Sequence, residues 1–261
     1  MERKKEMDTS RRPLIVGNWK MNKLNREAVD LAHQIAAGAI GLKVDLIVCP
    51  PSPYLKVVAD VLLTSDVKVA GQDCHYLQNG AHTGDVSAAM LTDVGCSYVI
   101  VGHSERRNDH GENEATVKNK AVAAWNAGLS AIICVGETQA ERDRGQTLAR
   151  LSAQLESSVP KLANANNTVI AYEPIWAIGS GHTPTHENVQ QVHNHIRMYL
   201  SIMFNFDIAE KMRVLYGGSV KPENAHELLM LTDVDGVLVG GASLDADRFL
   251  KIAQQASGTM V

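Results

Sequence analysis

The stretch Thr168-Val169-Ile170-Ala171-Tyr172-Glu173-Pro174-Ile175-Trp176-Ala177-Ile178-Gly179-Ser180-Gly181 joins an apolar run to a carboxylate, a proline and two glycines. Apolar residues follow one another at 169–172 without polar alternation, which predicts a short strand buried on both faces. Pro174 has no N–H, so strand pairing stops there. Glu173 thus stands at the C-terminal end of a strand, where a carboxylate adds nothing to packing. The apolar tip between Pro174 and Gly179 has the composition of a lid that closes over whatever the carboxylate acts on. A lone glutamate after a strand is more often a solvated loop residue, so the rest of the chain has to decide.

Outward from this stretch the same pattern repeats. Short β-branched runs at 14–16, 46–49, 67–70, 98–101, 131–135, 169–172, 214–216 and 237–239 predict strands. Stretches of helical periodicity lie at 25–37, 54–63, 114–127, 146–161, 186–203, 222–229 and 245–256. Proline near helix starts and Gly128 after a helix supply start and stop signals. Eight doubly buried strands alternating with helices in 261 residues predict an α/β fold, a closed (β/α)8 barrel of parallel strands. An open doubly wound sheet is the competitor. Against it, the first strand leads into Gly17-Asn18-Trp19-Lys20, with no GxGxxG turn. Residues 13–261 read as one catalytic domain, and the charged segment 1–12 as a frayed N-terminal extension.

Bulk composition narrows the function classes. With 29 acidic and 25 basic residues the net charge is −4, which leaves no global footprint for nucleic acid. No apolar run reaches the length of a membrane span, and the charged N-terminus lacks a signal-peptide core, so a cytoplasmic location is expected. Cys49, Cys74, Cys96 and Cys134 are widely spaced without a CxxC pair, which gives no support for a metal site and points to reduced thiols.

In a barrel the catalytic groups collect at the C-terminal ends of the strands. Those ends carry Asn18 and Lys20, then His103-Ser104-Glu105, then Glu173, then Gly217-Gly218-Ser219, then Gly240-Gly241. Glu173 is a candidate general base, with basicity raised if a lid dries its surroundings. His103 precedes a helix start, where the positive helix end disfavours the imidazolium and leaves a neutral ring to polarise a carbonyl. Lys20 can steady a developing enediolate, and Asn18 can hold Lys20 or the substrate. Glu105 is a candidate partner for Lys20. The two glycine turns suit phosphate, because backbone N–H groups approach its oxygens closely. Each residue alone has a blander reading: a structural histidine, a surface lysine, a capping residue or a tight turn. Together they suit proton transfer beside the carbonyl of a small sugar phosphate, with no metal or cofactor. A Schiff-base aldolase using Lys20, or a non-catalytic sugar-phosphate binder on the same scaffold, stays open at this point.

Five motifs in this order resemble the triosephosphate isomerase family: Gly17-Asn18-Trp19-Lys20-Met21-Asn22, Gly102-His103-Ser104-Glu105-Arg106-Arg107, the stretch from Ala171 to Gly181, Tyr216-Gly217-Gly218-Ser219-Val220, and Gly236 to Gly241. The resemblance implies interconversion of dihydroxyacetone phosphate and D-glyceraldehyde 3-phosphate in glycolysis and gluconeogenesis. It implies that Glu173 is the base, His103 the neutral electrophile, Lys20 the electrostatic partner and Asn18 a substrate contact. It extends phosphate contacts to Gly179, Ser219, Gly240 and Gly241, and supporting places to Ser104 and Glu105. A homodimer is also implied, with Thr83 on a loop from Gln72 to Ser87 reaching a neighbouring subunit. His82, where the family often carries an apolar residue, and His182, where it often carries lysine, depart from the pattern.

Overall fold

A computed structural model describes residues 11–178 and 183–258. Eight strands form a closed, wholly parallel barrel in sequence order: β1 Leu14–Asn18, β2 Asp45–Cys49, β3 Lys68–Gly71, β4 Tyr98–Val101, β5 Ser130–Val135, β6 Thr168–Tyr172, β7 Arg213–Tyr216 and β8 Gly236–Val239. Pairing of β8 with β1 closes the ring, with Leu14 opposite Gly236 and Gly17 opposite Val239. A Cβ on Gly236 would lie 1.9 Å from the Leu14 carbonyl oxygen, so only glycine allows this closure. The doubly wound alternative is excluded.

The missing polar alternation in the strands now has its cause. Leu14, Val16, Ile47, Ile100, Ile132, Val169, Leu215 and Leu238 fill the barrel interior. Their sequence neighbours Ile15, Val48, Val99, Val101, Ile133, Ile170, Val214 and Val237 point outward into the layer beneath the helices. All four cysteines are unpaired and buried.

The helical stretches read from the sequence are present with small shifts. The stretch at 146–161 is the helix Thr147–Ser158, which stops because Val159 precedes Pro160 and turns extended. The stretch at 54–63 divides into a 3-10 turn, Ser52–Tyr54, and the helix Leu55–Leu62. Four helices escaped periodicity: Ala88–Asp93, Ser104–His110, Gln139–Asp143 and Phe206–Lys211. Each is too short to display a hydrophobic period. Caps mark their starts instead, with Ser87, His103, Thr138 and Asn205 each accepting a backbone N–H.

The expected frayed extension needs a correction at its end. Arg11 Nε lies 2.6 Å from Asp235 Oδ1, and its Nη1 donates to the Glu210 carbonyl at 2.7 Å. Arg12 Nε lies 3.0 Å from Asp45 Oδ1. The floor of the barrel supplies carboxylates there, and these charge-assisted bonds tie both arginines down. Residues 1–10 of the extension lie outside the described residues. Among the described residues no helix is long and apolar enough to cross a membrane.

Candidate active site

One end of the barrel opens into a cavity of about 600 Å3, lined by Asn18, Lys20, His103, Glu105, Glu173 and the glycine turns after β7 and β8. Sequence-distant residues meet here because parallel strands all end on the same rim. Asn18 is the last residue of β1, and Glu173 follows β6 directly.

Glu173 is buried, 2% exposed, although it is an acid. Its Oε1 lies 2.8 Å from His103 Nε2, and its Oε2 accepts the Ser104 N–H at 3.0 Å. Burial pushes the Glu173 pKa up, yet His103, the Ser104 N–H and Lys20 outweigh it, and the result lies below the usual carboxylate value. In this placement, then, the carboxylate is a weaker base than burial alone would make it. His103 shows the matching shift. Burial lowers its pKa, but the Glu173 carboxylate more than offsets this and holds it above the usual value. The neutral ring expected from a helix start is opposed here by its carboxylate neighbour. His103 caps the helix Ser104–His110, with Nδ1 accepting the Glu105 N–H at 3.2 Å. A lone pair is needed at Nδ1 for that bond, so the neutral ring carries its proton on Nε2, aimed at Glu173.

Lys20 occupies left-handed backbone space, with φ +52°, which is strained for a lysine. Both of its peptide groups are held. Asn18 Oδ1 accepts the Lys20 N–H at 3.0 Å, and Gln72 Nε2 donates to the Lys20 carbonyl at 2.8 Å. Its Nζ lies 2.5 Å from Glu105 Oε1, so the ammonium is one half of an ion pair.

The wall formed by Gly217, Gly218, Ser219, Gly240 and Gly241 is backbone-rich. A Cβ on Gly241 would meet nothing within 4 Å, and one on Gly240 only Lys20 Cε at 3.6 Å, so both glycines leave an open cradle beside the lysine. A short 3-10 helix, Gly241–Leu244, begins there. Asn224 braces the other turn, its Nδ2 donating to the Ser219 carbonyl at 3.0 Å.

The chain matches the triosephosphate isomerase family model over residues 13–256. The chain belongs to the triosephosphate isomerase family. The triosephosphate isomerase of Bradyrhizobium diazoefficiens is 54% identical over 244 residues, covering 93% of this chain and 97% of that one. That of Xanthobacter flavus is 52% identical over 248 residues, covering 95% and 99%. A crystal structure of triosephosphate isomerase from Bartonella henselae superposes with a TM-score of 0.88 at 45% identity, covering 94% of this chain and 98% of that one. Like the rest of the family the chain is an enzyme.

Not every residue singled out from the sequence reaches the cavity. Thr83 is exposed on the loop after β3 and does not line the cavity. Gly179, and with it Ser180, Gly181 and His182, lies outside the described residues. His82 stacks on His75 with ring centroids 4.1 Å apart. With Asp85 these histidines form a loose cluster. His75 Nδ1 accepts the Leu77 N–H at 3.0 Å, which leaves the ring proton on Nε2 and no lone pair facing Asp85 for a metal.

Sequence reasoning missed Lys221 and Arg248, which line the cavity, and two residues outside the lining that brace it. Glu137 is fully buried below the lid stretch, its Oε1 accepting from Tyr172 Oη at 3.1 Å and Trp176 Nε1 at 2.8 Å. Gln72 holds Lys20 as described and also donates to the Cys49 carbonyl at 2.8 Å. Both follow strands, β5 and β3, whose ends carry no motif. Applying the strand-end rule to all eight strands would have found them.

Proposed function

We propose that this cavity interconverts dihydroxyacetone phosphate and D-glyceraldehyde 3-phosphate by moving one proton between adjacent carbons through an enediolate. The observation that carries the reading is the Glu173–His103 contact of 2.8 Å at the floor of a cavity whose wall is two glycine turns. A carboxylate and an imidazole N–H meeting at one point suit a carbon acid flanked by a carbonyl.

In this reading Glu173 leaves His103, takes a proton from the carbon next to the carbonyl, and later returns it to the former carbonyl carbon. His103 Nε2–H donates to the carbonyl oxygen and relays a proton between the two enediolate oxygens, so that the hydroxyl proton of one carbon ends on the oxygen of the other while the developing negative charge meets a neutral donor. The main causes of its raised pKa depart with Glu173, while burial and Lys20 remain and favour the neutral ring over the smaller opposing pull of Glu105. The Lys20 ammonium balances the enediolate charge. Its pairing with Glu105 speaks against the aldolase alternative, since an ammonium has no lone pair for carbonyl attack. Ser219, Gly240 and Gly241 hold the phosphate through backbone N–H groups, with Gly179 joining from the lid. The lid excludes water while the enediolate exists and so suppresses loss of phosphate. The Gln72–Ser87 loop suits a homodimer contact, with Thr83 at its exposed surface, and the cytoplasm suits a glycolytic enzyme with four free thiols.

Proton NMR of D-glyceraldehyde 3-phosphate in D2O with purified protein tests the reaction. Dihydroxyacetone phosphate carrying deuterium at C1 is the expected product. Phosphate binding without turnover would instead leave only a sugar-phosphate binder.

A further inference from the structure

The protein as a whole repels its own substrate. Its net charge is −4, while a triose phosphate is largely a dianion near neutral pH. Attraction must therefore be local to the cavity mouth. Of the cations lining the cavity, Lys20 is neutralised by Glu105. The others are Lys221 and Arg248. Both are exposed, and among the described residues neither side chain forms an ion pair or a hydrogen bond. Their backbones, by contrast, are fixed. The Lys221 N–H donates to Asn224 Oδ1 at 2.8 Å at the head of the helix Pro222–Leu229. The Arg248 N–H donates to Asp245 Oδ1 at 2.9 Å, in the first turn of the helix Ala246–Ala256.

The two residues flank the glycine cradle from opposite turns. Lys221 lies two residues beyond Ser219, and Arg248 enters from the helix that follows the 3-10 turn Gly241–Leu244. The remaining carboxylate of the wall is Glu173, which is buried. We infer that Lys221 and Arg248 form an electrostatic gate that draws the phosphate dianion to the cradle against the repulsion of the whole molecule, setting the encounter rate without touching the reacting carbons. A free cation on a tethered stem in front of a low-dielectric cleft focuses the field toward that cleft. Exposed charges of this kind lose their reach when the Debye length shrinks to a few ångströms.

The inference rests on the isomerase reading, and the test separates the two. The double variant Lys221→Gln/Arg248→Gln is compared with wild type across ionic strength. At low salt kcat/KM should fall about three- to tenfold, with kcat near the wild-type value. Near 0.5 M salt the two proteins should converge, because the attraction is screened. The exchange Lys221→Arg/Arg248→Lys should restore the wild-type salt slope. Lys161→Gln/Lys211→Gln changes net charge equally at exposed sites outside the cavity and should leave the slope unchanged. Equal slopes for wild type and the first variant, or the same loss in the distant variant, would overturn the gate. Absence of isomerase activity in wild type would instead overturn the reading beneath it.

Discussion

Glu173 Oε1 lies 2.8 Å from His103 Nε2, so the candidate base rests on the candidate electrophile. Each holds the other's pKa away from what burial alone would set, the glutamate below its usual value and the histidine above. Removing the charge of Glu173 should therefore act on His103. In Glu173→Gln the causes left at His103 are mainly burial and Lys20, which both lower its pKa. NMR titration of the His103 ring should show it titrating above the usual histidine value in wild type and below that value in the variant. The same variant should lose about 10^2- to 10^4-fold in kcat while keeping much of its affinity for inorganic phosphate. An unchanged histidine titration would break the proposed coupling, and full turnover would remove Glu173 from the role of base.

Gln72 acts on chemistry through Lys20. Its amide bonds both the Lys20 and the Cys49 carbonyls at 2.8 Å, and so helps hold a lysine at φ +52°. Gln72→Met keeps the volume and loses both bonds. We expect about 1–3 kcal/mol of stability to go and kcat/KM to fall about tenfold, with kcat falling as well as KM rising. A variant that unfolds earlier yet keeps full kcat/KM would make Gln72 purely structural.

Two glycines of the rim separate folding from binding. A Cβ on Gly136 would sit 1.8 Å from the Glu173 carbonyl oxygen, so Gly136→Ala should destabilise the fold and displace the base. A Cβ on Gly241 would meet open space in the cradle. Gly241→Ala should leave the thermal midpoint nearly unchanged, raise KM and weaken inhibition by inorganic phosphate. Tight phosphate binding in Gly241→Ala would place the phosphate elsewhere.

Acid sensitivity should depend on a histidine outside the cavity. His193 is fully buried, with Nδ1 3.2 Å from the Asp233 carbonyl, and burial pushes its pKa down to about 4. A depressed histidine binds its proton more readily when unfolded, so its share of stability is present above about 6.5 and is lost as pH falls toward about 4. The share is on the order of 3 kcal/mol. His193→Phe preserves an aromatic ring against Tyr172 and Tyr216. Urea unfolding at pH 7 and pH 4.5 should show a smaller drop in stability for the variant than for wild type. Equal drops would exclude His193 as the acid-sensitive group.

The fold was legible in the sequence because burial on both faces of a strand leaves a continuous apolar run such as 169–172, whatever the strand's neighbours are. Eight such runs alternating with helical periods allow few other architectures. Glu173, His103, Lys20 and Asn18 were legible for a related reason: polar groups at the ends of apolar strands have no packing role. The short helix after His103 was legible only at its start, since seven residues carry no period that would show its length. Glu137 and Gln72 also stand just past strand ends, but what they hold was not legible, because their partners lie 35 and 52 residues away in sequence. Only the closed barrel brings those partners within hydrogen-bond reach. The same holds for the protonation of the site. Sequence position put His103 at a positive helix end and predicted a neutral ring, but a pKa follows from charges a few ångströms away, and Glu173 arrives there only through folding. Which residues are candidates for the chemistry is thus written locally in the chain, while their distances, and so their charges, follow from how eight strands close on one another.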